Sequence, residues 1–243
     1  ETWEFLENQL SEPICVNNFN PKIISEWITK RQRKYPIFNN AYMMTGTHHL
    51  YNYLPTKHEK WLTMIKQEII DSGLIIDILN AKTMEAVFRL LQGCSFLGSF
   101  LAYQYTIDMN YSPYINFSEN DFVKAGIGAI RGIKKCFLCY GNKCEDAIWY
   151  VKEHFNDLLK RYGYTSFHPL PGHEPTLIDL QNCFCETDKY LRAKMPELRI
   201  GNVRIKQKYM PHTDPIQFFF PPKWNIVEMY KYKPIVVPTL FDL

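Results

Sequence analysis

The chain has 243 residues, with 28 Lys and Arg against 25 Asp and Glu and a formal net charge of +3. That length can bury a full core without disulfide staples, and 46% hydrophobic with 22% charged residues excludes a disordered chain. No apolar run approaches the roughly 18 residues of a membrane span, which excludes an integral membrane protein and leaves no membrane partner to expect.

The sequence opens on Glu1, so a preceding or removed segment is expected. The first thirty residues hold no apolar signal region, and Glu1, Glu4, Glu7 and Glu12 are acidic. Asn20-Pro21 reads as an N-cap with proline at the first helical position, followed by Ile23, Ile24, Trp27 and Ile28 on one face. Lys30-Arg31-Gln32-Arg33-Lys34 is a basic knot, readable as a solvated helix end or as a nucleic-acid contact. Thr56-x-x-Glu59 is a capping box for a helix through Trp61, Leu62, Ile65 and Ile69, with Gly73 as its stop. Thr83 caps a short helix through Val87, Leu90 and Leu91.

Two glycine clusters come next. Gly93-Cys94-Ser95-Phe96-Leu97-Gly98 separates two helical runs, so the expectation is an αα-hairpin whose outward amides at the second helix start can hold a phosphate. The second helix carries Tyr103-Gln104-Tyr105-Thr106-Ile107-Asp108, in which Asp108 is a helix-end cap or a catalytic carboxylate. Ser118-x-x-Asp121 reads as a cap. Gly126-Ile127-Gly128-Ala129-Ile130-Arg131-Gly132, continued by Ile133, Lys134 and Lys135, follows no strand, so it is no dinucleotide fingerprint. Its expected role is a backbone cradle for nucleic-acid phosphates, flanked by Arg131, Lys134 and Lys135.

Cys136-x2-Cys139-x4-Cys144 has part of a zinc pattern, with Cys183, Cys185, His154, His168 and His173 as completing ligands. Structural zinc uses two tight pairs, and only one partial set exists here, so free thiols are favoured and neither metal nor cofactor is expected. Seven cysteines at irregular spacing point instead to a reducing, intracellular compartment. A further helix carries Ile148, Trp149, Val151, Phe155, Leu158 and Leu159 and ends near Gly163. Thr176 caps a last one, closed by Pro196. On its face Glu186, Lys189 and Arg192 recur three residues apart, as a salt-bridge ladder or as working groups. The fold expected for residues 1–195 is all-α. Seven of the 15 prolines fall in residues 196–243, so that stretch is expected to be an extended strap pinned to the helical body by its aromatics, with short strands at residues 203–209 and 235–237 as an alternative. The strap is also a place where a protein partner could dock.

Three motifs occur in order: G-x4-G-x-F-x-A-Y-Q-x3-D, then A-G-x-G-A-x-R-G-I, then C-E-x-D-K-Y-x-R. Over residues 85–193 this pattern resembles the α-glutamyl/putrescinyl thymine pyrophosphorylase family, whose helical domain also accompanies 5-hydroxymethyluracil DNA kinases. The resemblance implies a helix-hairpin-helix fold like that of DNA glycosylases. It also implies replacement of a pyrophosphate on a 5-hydroxymethyl pyrimidine in DNA by an amine. The matching positions are Gly93, Gly98, Tyr103, Gln104 and Asp108; Gly126, Gly128, Arg131 and Gly132; and Cys185, Glu186, Asp188, Lys189, Tyr190 and Arg192. The family's Phe-x-Asn element is closely followed by an arginine and an acid, whereas Phe38-Asn39-Asn40-Ala41-Tyr42-Met43-Met44-Thr45-Gly46 has neither charge.

Three functions are weighed. The expected one is a DNA- or RNA-binding module with degraded chemistry in a larger assembly, intracellular and, through its DNA role, nuclear. It would bind through Gly93, Gly98, Gly126, Gly128, Arg131, Gly132, Lys134, Lys135 and Arg192. The second is the amine-for-pyrophosphate transferase, with Asp108, Gln104, Glu186 and Lys189 as catalytic groups and Tyr103 or Tyr105 stacking on an extruded base. The third is a glycosylase using Asp108 or Asp121. It is the weakest of the three, because the hairpin carries no catalytic lysine.

Overall fold

The structure is a computed structural model that describes residues 2–10, 13–38, 43–170, 172–199 and 220–226. Among these there are ten α-helices and no strand. They are α1 (Thr2–Gln9), α2 (Pro21–Gln32), α3 (Lys57–Met64), α4 (Leu74–Asn80), α5 (Met84–Gln92), α6 (Ser99–Asn110), α7 (Ile127–Cys136), α8 (Glu145–Glu153), α9 (Phe155–Arg161) and α10 (Leu177–Lys194).

Local chemistry fixes four of the ten helix starts. Asn20 Oδ1 accepts from the Lys22 and Ile23 amides at 3.1 and 3.2 Å, and Pro21 opens α2 with a fixed φ. Thr56 and Thr83 accept from the Glu59 and Ala86 amides at 3.3 and 3.1 Å. At α10 the box is reciprocal between Thr176 and Asp179, and Asn120 Oδ1 reaches across from a distant loop to take the Leu177 amide at 3.2 Å.

Helices α3 to α8 and α10 enclose one core. Ile78, Met84, Val87, Phe88, Ala102, Ala129, Ile133, Ile148 and Leu177 have no exposed surface. The most extensive packing is between α7 and α10, then between α5 and α6.

The fold departs from expectation in four places. Helix α3 continues as a π-helical stretch, Ile65–Asp71, and Gly73 (φ 81°) starts α4 instead of merely ending a helix. The second glycine cluster is itself helical, as α7. The run through Ile148 and Leu159 is two helices, because His154 (φ −107°, ψ 17°) leaves the helical region. Ser118 caps no helix. Its carbonyl accepts from the Asp121 amide at 3.1 Å in a turn.

Of the expected strap, Pro196–Leu198 and Pro222–Trp224 are single 3₁₀ turns. The strand alternatives at residues 203–209 and 235–237, and residues 39–42 of the Phe38 element, lie outside the described residues.

Candidate nucleic-acid interface

The first glycine turn joins α5 to α6. Neither of its glycines provides the left-handed turn residue: Gly93 is right-handed helical (φ −72°) and Gly98 is extended (φ −69°, ψ 169°). The left-handed residue is Phe96, at φ 67°. A bulky side chain there is strained by about 1–2 kcal/mol, and surrounding contacts must impose it. The Phe96 ring stacks on Trp61 (5.2 Å, 21°) and sits 5.5 Å from Tyr51 and 5.2 Å from His48. Beside it, the Ser95 amide donates to Glu68 Oε2 at 2.7 Å, while the Tyr51 hydroxyl donates to Oε1 at 2.6 Å.

Burial alone would raise the Glu68 carboxyl. The hydrogen bonds from Ser95 and Tyr51 outweigh it and hold the group below the usual carboxylate range. The Ser95 amide is therefore committed to a carboxylate of the same chain, which would also repel an incoming phosphate. The only sequence signal of this arrangement is an acid between Ile65 and Ile69.

The helix starts after the two glycine clusters are neighbours. The ring of Phe100, in the first turn of α6, lies against Gly126, where an added Cβ would stand 3.0 Å from Phe100 Cδ2. Gly98 caps α6 and Gly126 caps α7, and neither places a side chain over the first-turn amides. Gly98 and Ser99 are exposed, a Cβ at Gly98 would meet open space, and Ile127 is 71% exposed. The amides just upstream on the α7 side are already engaged. Ala125 donates to Glu145 Oε1 at 3.1 Å and Gly126 to Gln181 Oε1 at 3.3 Å.

Gly128 and Gly132 do bring the backbone close to something, but that partner is α10. A Cβ at Gly132 would fall on the Phe184 carbonyl oxygen, and one at Gly128 on Cys185 Sγ. Across this contact Lys135 Nζ donates to Asp188 Oδ1 at 2.8 Å, Arg131 Nε donates to Oδ2 at 3.1 Å, and Arg192 Nε stands 3.2 Å from Oδ2. The Asp188 side chain is fully buried, and those of Lys135 and Arg192 are 2% and 9% exposed. Burial would push the Asp188 carboxyl up, but the hydrogen bonds and charges of Lys135 and Arg131 prevail and hold it down. The second and third sequence motifs thus close on each other as an internal clamp. Gly128, Gly132, Lys135 and Arg192 are spent on it rather than presented to solvent, as is the head of Arg131. Lys134, one position along, is exposed.

The remaining candidates fall in two places. Asp108 is exposed in the last turn of α6, and partial burial raises its carboxyl above the usual range. Gln104, one turn earlier on the same face, is buried, and its Nε2 has no hydrogen-bond partner among the described residues. Glu186 and Lys189 are exposed on α10 and pair with each other. Tyr103 is buried, with its hydroxyl donating to the Phe122 carbonyl at 3.4 Å, so it cannot stack on an extruded base. The described residues hold no group of three or more His, Cys, Asp or Glu placed to bind a metal ion, and all seven cysteines are free. No described helix is long and apolar enough to cross a membrane.

Compared with known proteins, residues 1–200 match the family described as 5-hmdU DNA kinase, helical domain. No curated protein and no solved structure matches the chain.

Proposed function

The chain belongs to the family of 5-hmdU DNA kinase helical domains, and from that membership we propose that it is a DNA-holding module whose grip is the paired starts of α6 and α7. The observation that carries this reading is the juxtaposition of two glycine-capped helix N-termini through Phe100 and Gly126. Each N-terminus carries about half a positive charge and first-turn amides with no intrahelical acceptor, the donors a phosphate needs. The first-turn amides that follow Gly98 and Gly126 are the phosphate-side donors of this reading, with exposed Lys134 as a further cation. Arg131, Lys135, Arg192, Gly128 and Gly132 serve it indirectly, by fixing α7 against α10, and Gly93 serves it by closing α5. A DNA-glycosylase-like scaffold, a place in a larger assembly and a nuclear location go with it.

The test puts acids at the two helix starts. Ser99→Glu and Ile127→Glu each favour their helix dipole by roughly 0.3–1 kcal/mol, so thermal stability should hold or rise. DNA affinity should fall, and with it the steepness of its salt dependence. Unchanged affinity in both variants would refute the grip, and titration with single-stranded RNA alongside DNA separates the two nucleic acids.

A second reading, the amine-for-pyrophosphate transferase, is favoured by one observation. Gln104 Nε2 is a buried donor with no partner among the described residues, one turn from the raised carboxyl of Asp108. On that reading Asp108→Asn abolishes formation of the aminated nucleoside, followed by mass spectrometry, and leaves DNA binding intact.

A further inference from the structure

Residues 220–226 lie beyond the stretch matched to the family, yet they seat on its helical body. Lys223 Nζ donates to the Asn110 carbonyl at 2.6 Å, at the C-terminal end of α6, where the helix dipole favours a cation. The Trp224 indole N–H donates to Glu119 Oε2 at 2.8 Å. Its ring stacks on His173 (3.6 Å, 22°) and meets Tyr111 edge-on at 5.6 Å. The adjacent residue Asn225, at φ 50°, turns the chain out of the 3₁₀ turn that delivers both side chains.

Two parts of this seat are held by bonds in which the segment takes no part. The buried Asn110 side chain accepts from the Phe117 amide at 2.8 Å and donates to its carbonyl at 3.1 Å, which sets the loop that carries Glu119. The His173 amide donates to the Leu170 carbonyl at 2.9 Å, and its Nε2 lies 3.5 Å from Asp179 at the start of α10. Asn110 and the His173 backbone are thus held independently of the segment, whose cation and indole are taken by separate polar groups, the Asn110 carbonyl and the Glu119 carboxylate.

We propose that Asn110, Tyr111, Glu119 and His173 form a peptide-recognition site for a Pro-Pro-Lys-Trp segment, filled in cis and displaceably by the chain's own residues 220–226. The ligand class is a proline-led peptide with an adjacent lysine and tryptophan. Glu119 accepts the indole N–H and the Asn110 carbonyl at the negative helix end accepts from the ammonium group, so an acidic residue in place of Lys223 would meet that negative end. Because the segment belongs to the same chain, a free peptide competes with it at a disadvantage.

The experiment uses the full chain carrying Trp224→Ala and a fluorescein-labelled peptide of residues 220–226. The folded variant should bind the peptide saturably. Binding should weaken at least tenfold when the peptide's tryptophan is replaced by alanine, or when Glu119→Ala is added to the variant. Wild type should bind at least tenfold more weakly than the variant. A second arm does not depend on the variant folding. A protease site is placed within residues 201–219 of the otherwise wild-type chain and cut after folding. The freed piece should remain bound and exchange for labelled peptide. Loss of the freed piece without rebinding, a folded variant that ignores the peptide, or equal binding of the alanine peptide overturns the proposal. None of these outcomes touches the DNA grip, whose test reads the other end of α6.

Discussion

The two glycine clusters look alike in sequence and do opposite things. Around Gly98 the chain is open: an added Cβ would meet none of the described residues, and the left-handed residue of the turn is Phe96, held by its aromatic neighbours and by Glu68. Around Gly128 and Gly132 the chain is closed. The glycines sit inside a helix because α10 leaves no room for a Cβ. Glycine within a helix costs about 1 kcal/mol relative to alanine, a cost offset here by the approach that lets Asp188 reach Arg131 and Lys135. A glycine cluster therefore signals a close backbone approach without saying whether the partner is a ligand or the protein itself.

The sharpest test of this contrast is Asp188→Ala, which leaves three cations gathered around no carboxylate. A loss of about 3–5 kcal/mol in urea unfolding is expected, as for a broken buried ion pair. Because the folded carboxyl is held below its ordinary range, the unfolded chain binds more protons as pH falls. The stability this group contributes is thus complete at neutral pH and is lost as pH falls through and below the carboxylate range. The variant should flatten that acid limb. An unchanged limb would mean that the clamp contributes nothing to stability.

Next in size is the pair of glycine-to-alanine changes. Gly132→Ala should cost about 1–3 kcal/mol by overpacking against the Phe184 carbonyl. Gly98→Ala, extended and facing open space, should cost only a few tenths to about 1 kcal/mol, as a modest change of N-cap. Equal costs, read from thermal melts, would erase the distinction between an open and a closed cluster.

The smallest effect concerns strain. Phe96→Gly and Phe96→Ala both lose the ring on Trp61, but only glycine is comfortable at φ 67°. The glycine variant should be the more stable of the two by about 1 kcal/mol. If alanine proves better, Phe96 does not stay left-handed in solution.

Capping chemistry was readable from the chain alone, because a cap is a contact between residues two or three apart. Asn20, Thr56, Thr83 and Thr176 were placed at helix starts from their sequence neighbours, and the Asn20, Thr56 and Thr83 side chains accept first-turn amides there, while Thr176 forms its box with Asp179. The all-α character followed from the 3–4 spacing of apolar residues for the same reason. The long-range partners were not readable. That Glu68 would close on Ser95, that Gln181 would take the Gly126 amide, and that Lys223 and Trp224 would seat at the end of α6 each join residues far apart in the chain. The basic residues show the limit most clearly. Arg131, Lys134 and Lys135 are equivalent as a charge count, yet a helix turns about 100° per residue. Lys134 consequently faces solvent while Arg131 and Lys135, four positions apart, face Asp188. Local bonding set where the helices begin, and the packing of α7 on α10 decided which charges remained available to a partner.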